Sequence, residues 1–111
     1  MGRKKIYMCE QMPKSVRQLV TLFCADYWRR AKYIKDDRSK PEIVAKYKEI
    51  NDKIDKCLEF ADDVIREQML IDIAHNTGWD RSPALNVINR NSYFKQKSTI
   101  VTNIAKSLSL I

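Results

Sequence analysis

Ile43, Tyr47, Ile50, Ile54, Cys57 and Ala61 recur at alternating steps of four and three residues. That spacing places all six on one side of a helix of 3.6 residues per turn, and it does not suit a strand, whose faces alternate every second residue. A chain holding such a seam must cover it, either with an antiparallel helix of its own or with a second copy in a coiled coil. Beyond Ala61 the stripe drifts to Ile65, Met69 and Ile73, which predicts a bend or a new helix near Asp62-Asp63. The remaining sequence agrees with a helical chain. Two Gly and three Pro in 111 residues leave little material for tight turns, and 44% hydrophobic with 32% charged residues suits amphipathic helices around a modest core. The expected class is all-α, a helical bundle with a long central helix.

Other elements follow from the same periodicity. Val16, Leu19, Val20, Phe23, Cys24, Tyr27 and Ala31 predict a first helix from about Pro13, ending in the basic run Arg29, Arg30, Lys32 and Lys35. Asp36 to Ser39 is the expected turn. Ser39, with Glu42 three residues on, predicts a capping box at the start of the long helix. Glu49 with Lys53 and Asp52 with Lys56 are i,i+4 pairs that support that helix and carry no functional message. The expected organisation is a basic arm at 1–11, a long-helix hairpin at 12–77 and a helix-turn-helix at 78–111, packed as one domain.

The final third carries the functional signal. Gly78 is placed for a left-handed cap after His75-Asn76-Thr77, and Asp80-Arg81-Ser82-Pro83 predicts a cap followed by Pro at a first helical position. A short helix over about Pro83 to Asn89 then leads to Asn91 or Ser92 as the cap of a last helix. In that helix Tyr93, Lys97, Ile100, Val101, Ile104, Ala105 and Leu108 mark a face that is apolar apart from Lys97. Lys95, Gln96, Ser98, Thr99, Thr102 and Asn103 fill much of the rest. A DNA-reading helix needs this division, one side anchored in the core and the other offering donors to phosphates and base edges.

Charge is segregated along the chain. The net +7 comprises +7 over residues 1–40, −4 over 41–77 and +4 over 78–111. An acidic middle neutralised by basic neighbours would leave basic surface for a polyanion such as double-stranded DNA, although basic faces are also often simply solvated. Arg3, Lys4 and Lys5 suit either an arm reaching along a groove or an ordinary terminus. Cys9, Cys24 and Cys57 form no Cys-x-x-Cys pair, which argues against a zinc cluster or a disulfide framework. No apolar run reaches the ~18 residues of a membrane span. The first residues lack a signal-peptide apolar segment, and Ile6 stands where a myristoylation motif needs Ser or Thr. The expectation is therefore a cytoplasmic protein without membrane attachment.

Enzyme chemistry finds little support. His75 is the sole histidine, and Asp72-x-x-His75 falls short of a carboxylate-bridged metal site, which needs two such pairs. Neither Cys57 nor Ser82 sits in a recognisable nucleophile arrangement, and no Gly-rich phosphate loop exists, so no enzyme, metal or cofactor is expected. Trp79 is expected to pack over the helix end and Trp28 beside the core, rather than to stack on bases.

Val87-Ile88-Asn89-Arg90-Asn91-Ser92-Tyr93-Phe94-Lys95-Gln96-Lys97, followed by Ile104-Ala105-Lys106-Ser107-Leu108, resembles the ending of small phage and prophage transcription regulators of the RinA and ArpU type. Those are similar to the DNA-binding end of sigma factors. The resemblance covers residues 78–111 and implies a DNA-binding transcriptional regulator. Arg81, Arg90, Lys95 and Lys97 would grip phosphates. Asn91, Ser92, Tyr93, Gln96 and Ser98 or Thr99 would face the duplex. A homodimer through the Ile43 to Ala61 seam would suit paired half-sites, and RNA polymerase is a candidate direct partner. The segment between Gly78 and Asn91, with Trp79 and Pro83, departs from the usual short polar supporting helix. Two other classes fit the same composition: a helical protein-interaction module without DNA binding, and a DNA-packaging protein like a terminase small subunit, which would work as a ring.

Overall fold

A computed structural model of the chain describes residues 12–83 and 88–111. The fold is all-α. Its helices are α1 (Lys14–Ala25), α2 (Tyr27–Lys35), α3 (Pro41–Leu58), α4 (Arg66–His75) and α5 (Arg90–Ser107), with 3₁₀ turns at Asp63–Ile65 and Trp79–Arg81. The expected basic arm lies outside the described residues. So does most of the expected supporting helix over Pro83 to Asn89, which falls on residues 84–87.

α1 packs on α4 and α5, while α2 packs on α3. This division of partners explains why the single first helix expected from the stripe is two. Asp26 sits between them at φ −88°, ψ 0°, outside regular helical geometry. Its carboxylate accepts from Arg29 Nε at 2.6 Å, and that bond holds the Asp26 carboxyl below the usual carboxylate range. Only Val16, Val20 and Cys24, each four residues apart, are buried along α1, and Leu19 from the same stripe stays exposed.

The long seam is covered from within the chain. Ile54 and Cys57 of α3, with Leu58 and Ala61, join Ile65, Met69, Ile100 and Ile104 in one core. Nearer the start of α3, Tyr47 meets Tyr33 of α2 edge-on, with ring centroids 5.3 Å apart. α2 and α5 pack against α3, so this stripe finds the partner within the chain that its spacing allows.

Buried polar groups tie α2 to α3. Arg30, part of the basic run at the end of the expected first helix, is only 2% exposed. Its Nε donates to Asn51 Oδ1 at 2.7 Å and its terminal nitrogen to the Phe23 carbonyl at 2.5 Å, while Asn51 Nδ2 donates to the Tyr27 carbonyl at 3.2 Å. Burial lowers the Arg30 pKa, with Asp26 opposing it from 3.5 Å away.

The caps differ from expectation for local reasons. Pro41 takes the first position of α3, so the cap falls on Lys40, which is extended as residues before Pro prefer to be. Ser39 is one residue too early for a capping box; its hydroxyl donates instead to the Tyr33 carbonyl at 2.6 Å. After Leu58 the chain reverses as the sequence predicts near Asp62-Asp63. Arg66 secures the reversal by donating to the carbonyls of Leu58, Glu59 and Ala61 at 3.0–3.3 Å, groups a helix end otherwise leaves unpaired. α4 ends in a left-handed residue, but that residue is Asn76 (φ 54°), while Gly78 is extended. Thr77 N–H reaches the Asp72 carbonyl and Asn76 N–H the Ile73 carbonyl, the paired bonds of a Schellman ending.

The molecule measures 54 × 35 × 19 Å. A helix with side chains is about 10–12 Å across, so the bundle is two helices thick and its outer helices keep one side in solvent. Cys24 is nevertheless fully buried, and burial pushes its thiol up to about 12. At pH 8 a thiol titrating near 8.5 is about one quarter thiolate, whereas Cys24 would be ionised to about one part in ten thousand. Alkylation of Cys24 in the folded protein is thus expected to run roughly a thousandfold slower than in urea, read by mass spectrometry of the modified peptides.

Candidate nucleic-acid interface

α5 opens on a side-chain cap. Asn89 Oδ1 accepts from Ser92 N–H at 2.8 Å, so Asn89 is the cap and Asn91 and Ser92 lie inside the first turn. Asn89, Arg90, Asn91, Ser92 and Lys95 line one shallow depression. Arg90, Asn91 and Lys95 are exposed and Ser92 half-buried. The Arg90 guanidinium lies 5.3 Å from the Phe94 ring centre, an arrangement that steadies the long side chain. The surface thus combines two cations, an amide and the positive end of an 18-residue helix.

The other expected contacts lie elsewhere. Tyr93 is fully buried; its hydroxyl donates to Asp72 Oδ2 at 2.8 Å, and Trp79 packs on its ring at 5.2 Å. Burial, reinforced by Asp72, raises the Tyr93 pKa and keeps the phenol protonated. The apolar periodicity places Tyr93 on the inner face and the family resemblance places it toward DNA; the structure follows the periodicity. Gln96 turns to the α3–α4 reversal, where its Oε1 accepts from Asp62 N–H at 3.3 Å. Lys97 Nζ donates to the Thr77 carbonyl at 3.0 Å and lies 5.7 Å from the Tyr93 ring centre. Thr99 is half-buried and Ser98 buried; farther on, Ile100, Val101, Thr102, Ile104 and Ala105 are all buried. Arg81 is exposed on the Trp79–Arg81 turn. The far half of α5 is therefore largely the centre of the bundle, and its opening turns carry the exposed polar cluster Arg90, Asn91 and Lys95.

A buried network that the sequence reading does not anticipate positions that opening. Asp72 is fully buried, and its carboxylate accepts from Gln68 Nε2 (2.7 Å), Ser82 Oγ (2.5 Å) and Tyr93 OH (2.8 Å). It fastens α4, the segment after Gly78 and α5 together. Ser82 thereby acts as a brace, while the helix it is expected to cap lies outside the described residues. Asp72 and His75 do not pair: His75 is exposed, and its ring stacks on Trp28 with centroids 6.4 Å apart. Among the described residues no group of three or more His, Cys, Asp or Glu could hold a metal ion, and no helix is long and apolar enough to cross a membrane.

Comparison with protein-family models, with curated proteins and with solved structures finds no match. The geometry of the α5 opening is what a functional reading has to rest on.

Proposed function

We propose that the protein binds double-stranded DNA through the opening turns of α5 and acts as a transcriptional regulator of a phage or mobile element. The observation that carries this reading is the joint exposure of Arg90, Asn91 and Lys95 around the capped start of α5. First-turn N–H groups and two cations suit phosphate oxygens, and an asparagine amide can pair with an adenine edge in the major groove. Because the far half of α5 is buried, the helix would meet DNA by its end instead of lying along the groove. Few base contacts and a large phosphate contribution follow, with Arg81 able to add a backbone contact.

Salt-titrated binding to random duplex tests this. The logarithm of the binding constant is expected to fall linearly with the logarithm of salt, by about 0.9 for each phosphate neutralised. Arg90→Ala and Lys95→Ala should each reduce that slope by about one. Lys106→Ala, at the opposite end of the helix, should leave it unchanged. Asn91→Ala should keep the slope and relax sequence preference by roughly 1–3 kcal/mol at the affected base. Absence of binding at low salt would overturn the proposal in favour of a helical interaction module.

A further inference from the structure

The molecule carries two complementary surfaces that its own core leaves open. One is the corner between α3 and α4, where Phe60 is 51% and Val64 76% exposed. Glu59, Asp62, Asp63 and Glu67 neighbour them along the chain, all exposed; Asp63 is paired with Arg66 at 2.6 Å, and the corner stays net acidic. The other is a cleft of about 660 Å³ between α1 and α5, with Ile73 and Asn76 of α4 at its edge. Lys14, Arg17 and Lys97 line it beside an apolar floor of Leu22, Phe94 and Val101, and Leu22 is 63% exposed. We propose that the acidic, apolar corner of one molecule docks into the basic, apolar cleft of a second copy of this chain.

The pairing rests on matched chemistry. Apolar side chains at the centre of each surface would bury one another, while the charges around them have opposite sign, the arrangement that gives an interface both area and register.

A corner does not reach the cleft of its own molecule. Asp62 is held to Gln96, which stands about 200° around α5 from Phe94, whereas Lys97 and Val101 lie within about 60° of Phe94. Corner and cleft thus lie on opposite sides of α5, and the contact has to pass between molecules. Two different patches meeting head to tail repeat from copy to copy and generate a closed ring or an open filament, not a two-fold dimer. The contact uses none of Arg90, Asn91 or Lys95, so it stands or falls apart from the DNA reading.

Mass measurement in solution at low salt tests it, with one variant carrying Arg17→Glu and Leu22→Glu in the cleft and another carrying Phe60→Lys and Val64→Lys at the corner. The unaltered chain is expected to grow with concentration past the mass of a dimer, and each variant alone to stay at 13.1 kDa. An equimolar mixture of the two variants should form a dimer and nothing larger, because one intact corner then meets one intact cleft and each molecule's other half is disabled. All four substitutions are at solvent-facing positions, and the dimer in the mixture would itself show that both variants fold. An unaltered chain that remains monomeric, a variant that assembles as the unaltered chain does, or a mixture that stays monomeric while the unaltered chain assembles would each overturn the proposal.

Discussion

Asp72→Ala is expected to lower the stability of this protein by roughly 3–4 kcal/mol, a large part of the about 5–15 kcal/mol typical of a small domain. The carboxylate is fully buried and receives three side-chain donors, from Gln68, Ser82 and Tyr93. Each donor stranded without an acceptor costs about 1–3 kcal/mol, and the hydroxyls can recover part of the loss by turning toward each other. Tyr93→Phe removes one donor and leaves the acceptor two, so its cost should be about 1–2 kcal/mol. Asp72→Asn should fall between the two, because its amide oxygen can keep one or two of the bonds. Urea unfolding followed by circular dichroism gives all three values. An Asp72→Ala variant within about 1 kcal/mol of the parent would mean that the network does not fasten α4 to α5. Because Ser82 precedes α5 and Tyr93 lies in its first turns, the same variant should also loosen the α5 opening and weaken the proposed DNA binding without touching a proposed phosphate contact.

The second large effect is expected at Arg30. Arg30→Ala should cost roughly 3 kcal/mol, through loss of a buried stem and through the Asn51 amide oxygen and Phe23 carbonyl left without a donor. Arg30→Met separates the contributions: it restores most of the packing and should recover about 1 kcal/mol. Arg30→Lys should not restore the remainder, because one ammonium cannot reproduce the planar fork that reaches Asn51 and Phe23 together. If Arg30→Ala proved neutral in urea unfolding, the α2–α3 pairing would rest on its aromatic contacts and on the Tyr27 hydrogen bonds to Asn51 and Asp55.

The parts of this fold legible in the sequence are those set by periodicity. The α3 stripe from Ile43 to Ala61, the reversal near Asp62-Asp63 and the inner face of α5 all follow from steps of three and four, because burial repeats with the turn of the helix. The break at Asp26 was not legible, since the stripe from Val16 to Ala31 continues across it and only the different partners of α1 and α2 divide it. The cap of α5 was misplaced for a related reason: Asn89, Asn91 and Ser92 all carry oxygens able to cap, and tertiary position selects Asn89. Arg30 and Asp72 are buried by groups distant in sequence, Asn51 in one case and Ser82 with Tyr93 in the other. Asp72 does lie inside the apolar run Met69, Leu70, Ile73 and Ala74, the one local sign that its carboxylate faces inward. Of the nine residues expected at DNA, Arg81, Arg90, Asn91 and Lys95 are exposed and Ser92 and Thr99 half-buried, while Tyr93, Gln96 and Lys97 are engaged by their own chain. The resemblance addressed residue types along the helix and carried no information on which side the bundle would cover.

DNA is proposed to meet this protein at the start of α5. Amide chemical-shift mapping by NMR, with a random duplex added at low salt, measures this residue by residue. The largest shifts are expected over Asn89 to Lys95 and near Arg81, with the α3 surface around Glu49, Asp52 and Asp55, where acids and lysines balance, unmoved. Shifts confined to other faces, or none at a duplex concentration that saturates non-specific binding, would contradict it.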